Sequence, residues 1–369
     1  MKNVLPLMLV AALSIGVASS AVAQELPWDS LAARIVTSLK VEKGERVLLR
    51  YDPKTYGALE PVVRRQLEAA GATVESLTYA PAADLAARLA RTDIYIWLPA
   101  GSDANTVPAE RALLATWLDE KRGRQIHFHW NGGTRDVDGL PVAHKPVYDS
   151  VYLSALDIDY KALGARQRAA ADLIRSAETR VTTPAGTDIR FRVGDRPFNL
   201  QDGDASRERI KTARVRVDYE IELPAGVLRV APIESSVQGT LVIPKARFGD
   251  AVVTQARLEI KDGLVVKATA AQGQAALDTF LASAPGARHF REFGLGFNPK
   301  LAVPAGETAL PYYGYGDAVV RLSLGDNQEV GGAVRGGGVR WLFFPDTTVT
   351  VGGTTLVKNG KLVEQTSRR

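Results

Sequence analysis

The sequence predicts an α/β + β-rich fold: an N-terminal open parallel α/β domain, then a C-terminal, mostly antiparallel β domain with one helix. Two observations carry this. Between Trp28 and about Thr179, short β-branched runs alternate with helical periods, the pattern of a parallel sheet covered on both faces. From Arg180 onward the period drops to two and tight-turn signals recur, at Lys261-Asp-Gly263, Gly352-Gly353 and Asn359-Gly360. A chain of 369 residues, 46% hydrophobic, can bury two cores. The domains are accordingly drawn at 24–178 and 179–369.

In the first half, Arg46–Tyr51 reads as a strand, and 55–70 as a helix whose Leu59, Val62, Val63 and Leu67 form one apolar face. Gly71 stands where a left-handed C-cap would stop it. Strands at 72–79, 93–98 and 125–130 alternate with helices at 81–91 and 108–122. Gly132-Gly133 follows the fourth strand, where open α/β sheets place ligand crevices, but no GxGxxG or Walker pattern accompanies it. A helix at 159–178 closes this half. In the second half a single helix, 273–283, presents Ala276, Leu277, Phe280 and Leu281 to a sheet.

Lys2, the apolar run from Val4 to Val17 and the small residues Ala21-Val22-Ala23 before Gln24 read as a signal peptide, residues 1–23. The expected location is therefore periplasmic or secreted. That run is short for a bilayer and no later segment is long and apolar enough, so no membrane span is expected in the mature chain. With no cysteine there are no disulfides, thiol nucleophiles or thiolate metal sites. The formal charge of +5 comes from basic residues dispersed among acidic ones, which does not indicate nucleic-acid binding.

Chemistry is sparse by motif. No G-x-S-x-G elbow and no H-E-x-x-H helix is present. His127-Phe-His129 sets two imidazoles on one strand face beside the expected crevice, a geometry open to a metal or to a plain polar strand end. In Gly316–Asn327 and Gly337–Phe344, two strand-like stretches each carry one arginine, Arg321 and Arg340.

Several segments together resemble the aminopeptidase T family of metallopeptidases. These are Gly44-Glu-Arg-Val-Leu-Leu-Arg50, Leu67-Glu-Ala-Ala-Gly-Ala72, Arg180-Val-Thr-Thr-Pro-Ala-Gly-Thr-Asp188, Leu223-Pro-Ala-Gly226, Ala231–Thr240, Glu292-Phe-Gly-Leu-Gly-Phe-Asn298 and the closing hairpin from Thr348 to Val363. The resemblance implies the two domains above, a homodimer and a C-terminal two-metal site in which the metals share a bridging water. Carried over position by position, that site is largely substituted. Glu292 is kept, but Val227 stands where the family has a glutamate, Arg321 where it has a histidine, Gln328 where it has a tyrosine, and Arg340 and Leu342 where it has a His-x-Asp pair. Guanidinium groups offer donors only, and valine and leucine offer no ligand atom.

Two readings follow for the arginines: an internal ion pair with Glu292 in place of the metals, or a fork formed by Arg321, Arg335 and Arg340 for an anionic group. Tyr312, Tyr313 and Tyr315 are given no site role. The leading expectation is an exported aminopeptidase-like protein that needs no cofactor, non-catalytic or binding a small anionic or peptide-derived ligand. The alternative is an active hydrolase with Glu292 as its base and zinc, cobalt or manganese held with the help of His127 and His129. A purely structural or interaction role is the third.

Overall fold

The computed structural model of the protein describes residues 26–78, 82–99, 108–130, 133–136 and 139–364. The expected signal peptide and Gly132 lie outside the described residues. The first sheet contains β1 (Arg46–Tyr51), β2 (Thr73–Leu77), β3 (Ile94–Leu98), β4 (Arg124–Phe128) and β5 (Glu220–Leu223). Its order is β2-β1-β3-β4-β5, with every pairing parallel. Alternate side chains supply two cores, as a sheet covered on both faces requires. Val47, Leu49, Ile94, Ile96 and Ile126 pack on one side, and Leu48, Tyr95 and Trp97 join Leu114 and Trp117 on the other.

The helix expected over 55–70 is two helices, Pro53–Tyr56 and Glu60–Ala69. Asp52 caps the first by accepting from the Thr55 amide, and proline lies in the opening turn of each, where a missing N–H costs nothing. Helices Trp28–Leu39 and Val147–Leu156 add to those expected, and Tyr160–Ser176 closes the half. Among the described residues no helix is long and apolar enough to cross a membrane.

The second half forms two antiparallel sheets. One has eight strands and carries the expected helix, Gln274–Ala282, docked through buried Leu277 and Leu281. The other contains β6 (Val227–Val230), β7 (Phe290–Gly296), β8 (Val320–Leu324) and β9 (Arg340–Phe344) in the order β9-β8-β7-β6, with Asn199–Leu200 at its edge. Strand β5 lies in sequence beyond the boundary drawn at 178, yet it is the edge strand of the first sheet.

Three residues, Pro224-Ala225-Gly226, carry the chain from β5 in the first sheet to β6 in the other. Only glycine fits at 226, since a Cβ there would lie 2.7 Å from Asn298 Cβ and 2.8 Å from the Tyr315 carbonyl oxygen. Buried Asn298 holds the junction by donating to the Ala155 and Ala225 carbonyls at 3.1 and 2.7 Å. This short crossing sets one face of the parallel sheet against one face of the antiparallel sheet, and the candidate site lies between them.

Candidate ligand site

The first wall is a row across three parallel strands. Trp97 on β3 is the register partner of His127 on β4, which is the partner of Glu222 on β5, so all three leave the sheet on one side. Glu220, two residues before Glu222, shares that face. The His127 ring stacks on Trp97 with centroids 4.3 Å apart and planes 17° apart. Its Nδ1 lies 3.2 Å from Glu220 Oε1 and 3.9 Å from Glu222 Oε1. Tyr315 Oη donates to Glu222 Oε2, and Gln125 Nε2 donates to Glu220 Oε1 at 3.2 Å. Burial, reinforced by the neighbouring Glu220 carboxylate, pushes Glu222 up to about 7 against the pull of His127, Arg229 and Arg321.

The second wall is cationic. On the antiparallel sheet Gly294 is the partner of both Arg229 and Arg321, and Glu292 is the partner of Ser323, itself paired with Trp341. Glu292 is 0% exposed. Its Oε2 accepts from Arg229 Nε and Nη2 at 3.2 and 3.0 Å. Its Oε1 lies 3.0 Å from Arg321 Nε and accepts from Ser323 Oγ at 3.4 Å. Burial alone would raise its pKa, but the charges of Arg229, Arg321 and Arg291 outweigh burial and hold the carboxyl well below the usual range. Glu329 bridges the group from the other side, accepting from Arg229 Nη2 at 3.0 Å and from Arg291. Burial and the neighbouring Arg229 push Arg321 down to about 10, which leaves it a cation at neutral pH.

Arg321 therefore meets Glu292 as its residue type suggested, while Arg340 does not. It pairs with Leu324, one position out of phase with Trp341, so it leaves the opposite face of the sheet and lies 5.1 Å over the Phe248 ring. Leu342 alternates with it and shares that face, so Trp341 and Phe343 are the β9 residues on the Glu292 side. Arg335 is exposed on the loop before β9 and joins neither wall. Val227, partner of Gly296, does lie on the Glu292 face. Of the histidine pair, His127 joins Glu220 and Glu222, whereas buried His129 meets Tyr313 Oη through Nε2 at 3.1 Å.

Sequence reasoning passed over Arg229, Arg291, Glu220, Glu222 and Trp341. The alternation Glu220-Ile-Glu222-Leu, two acids on one face of a strand entering Leu-Pro-Ala-Gly, was the available signal for the acidic pair. Tyr313 and Tyr315, given no role from sequence, line the space between the walls.

That space is a cavity of about 280 Å³ bounded by Trp97, His127, Glu222, Arg229, Arg321 and Trp341, among others. Arg321 is 3% exposed, and its Nη2 has no hydrogen-bond partner among the described residues. Its guanidinium carbon lies 5.5 Å from the Trp341 ring centre and 5.7 Å from that of Tyr315, which fixes its plane at the cavity wall.

Residues 165–302 match the family model of the thermophilic metalloproteases (M29). Among curated proteins no sequence matches. The fold is shared with solved structures. The 2,5-dihydroxypyridine dioxygenase of Pseudomonas putida KT2440 superimposes with a TM-score of 0.62 at 17% identity, covering 93% of this chain and 97% of that one. AmpT from Thermus thermophilus superimposes with a TM-score of 0.59 at 15% identity, covering 91% of this chain and 99% of its own. The M29 match is thus confined to residues 165–302, while the fold shared with AmpT extends along most of the chain.

Proposed function

We propose that the protein is an exported, non-catalytic aminopeptidase relative whose inter-sheet cavity binds a small anionic or peptide-derived ligand. The observation that carries this reading is the buried guanidinium of Arg321, anchored through Nε at Glu292 with Nη2 left for a partner at the cavity wall. Three guanidinium groups, Arg229, Arg291 and Arg321, surround two carboxylates, Glu292 and Glu329, which leaves one positive charge over. A carboxylate of the ligand would neutralise it with a charge-assisted hydrogen bond from Nη2. The aromatic rings of Trp97, Tyr313 and Trp341 would cover its apolar part.

The residues here do not fit the family's two-metal centre. Both oxygens of Glu292 are occupied by guanidinium groups, and Val227, Arg321, Trp341 and Phe343 on the same face offer no metal ligand. Glu292 is also a poor general base, because its proton affinity is lowered by the same arginines. The homodimer implied by the resemblance belongs to this proposal and is checked by light scattering on the eluting protein.

The test of ligand binding is a thermal-shift and calorimetric screen of L-amino acids, dipeptides and succinate, alongside dipeptide hydrolysis. Stabilisation by a carboxylate ligand that disappears in Arg321→Ala, without turnover, supports the reading. Turnover abolished by Glu292→Gln would overturn it.

A further inference from the structure

We propose that His127, Glu220 and Glu222 form a binding site for one divalent transition-metal ion, on the first wall of the cavity and apart from the positions that carry metals in the family. One nitrogen and two carboxylate oxygens, all within 4.8 Å of one another, converge from two adjacent strands. A tetrahedral or octahedral ion with bonds of about 2.0–2.2 Å separates neighbouring ligand atoms by about 3–3.5 Å. The 3.2 Å and 3.9 Å separations from His127 Nδ1 need only small side-chain adjustments to reach that geometry.

The surroundings hold the three ligands in place. The stack on Trp97 fixes the imidazole plane. Gln125 and Tyr315 each donate to one of the carboxylates, the kind of outer contact that orients metal ligands. A His-plus-two-carboxylate set suits zinc, cobalt(II), manganese(II) or iron(II), and its side towards the cavity leaves positions for an added ligand. Across that cavity stands the unpartnered Nη2 of Arg321, itself nine-tenths buried. An anionic molecule could bridge the two, one oxygen on the ion and another on the guanidinium. The ion site does not depend on the anion-binding reading, which stands or falls on Arg321.

The experiment is equilibrium dialysis of the full chain against cobalt(II), read by metal analysis and by the visible absorption of bound cobalt. The expected result is one equivalent of cobalt, bound at least tenfold more weakly in both Glu220→Gln and Glu222→Gln, with Arg321→Ala retaining it. Glu220 is partly exposed, so Glu220→Gln tests the site without disturbing a core, and its melting temperature in chelator verifies folding. Absence of stoichiometric cobalt, or wild-type cobalt affinity in the two glutamine variants, overturns the proposal. So does cobalt that is lost in Glu292→Gln while Glu220→Gln keeps it. Succinate stabilisation measured in chelator tests Arg321 separately, so either result can fail alone.

Discussion

Glu292→Gln is the most revealing perturbation of the cationic wall. The side chain has no exposure, and its two oxygens are the acceptors for Arg229 and Ser323 and the counter-charge for Arg321. Glutamine keeps the volume and one acceptor. It replaces the other oxygen with an NH₂ group that faces guanidinium donors and removes the charge that compensates them. Removing one member of a buried ion pair costs about 3–5 kcal/mol, because the partner is left desolvated and unpaired. The assay is urea denaturation of wild type and variant, with the loss read from the midpoint at unchanged slope. The partner change Arg321→Met removes the stranded cation and packs against Trp341, so the double variant should regain at least about 1 kcal/mol over Glu292→Gln alone, a coupling of the size found between contacting groups. A loss below about 1 kcal/mol, or a double variant whose losses simply add, would refute the claim that guanidinium charge is what Glu292 balances.

Three shorter predictions follow from the same geometry. Because the folded-state pKa of Glu292 lies below its ordinary value of 4.5, the unfolded chain takes up that proton more readily; the carboxylate's contribution is present above pH 4.5 and is lost as pH falls further. Melting temperature should therefore drop more steeply below pH 4.5 in wild type than in Glu292→Gln. Gly294→Ala would set a Cβ 3.3 Å from Arg321 Cβ and 3.4 Å from its Nε, so a loss of about 1–3 kcal/mol is expected by calorimetry, together with weakened ligand stabilisation as Arg321 shifts. Arg340→Ala, on the far face of β9, should leave ligand-induced thermal shifts unchanged, whereas Arg321→Ala removes them; equal effects of the two would mean the register does not separate them functionally.

How much of this was readable beforehand divides along physical lines. Strand β1 was legible to the residue, Arg46–Tyr51, because a buried parallel strand is a run of apolar side chains bounded by turn chemistry. The split of the 55–70 helix was not, although Asp52 and Pro61 are the residues that restart it. The place of β5 could not be read from local pattern at all. Its partner β4 lies 95 residues earlier, as in Gln125 with Glu220, and only tertiary packing decides that pairing.

The misplacement of Arg340 shows how little separates a right site from a wrong one in a sheet. Matching a family motif by composition tolerates a shift of one residue, but a pleated strand does not: that shift moves a side chain from one face to the other. Position 321 shares the Glu292 face because Arg321, Gly294 and Arg229 form one row, and the missing Cβ of Gly294 leaves room for the Arg321 side chain beside it. Position 340 fails it because Leu324, its partner, points into the core. The second guanidinium on Glu292 is therefore that of Arg229, which stands two residues after Val227 on the same face of β6. The guanidinium groups around Glu292 thus belong to one sheet face, rows 229–294–321 and 292–323–341, and not to a list of aligned motif positions.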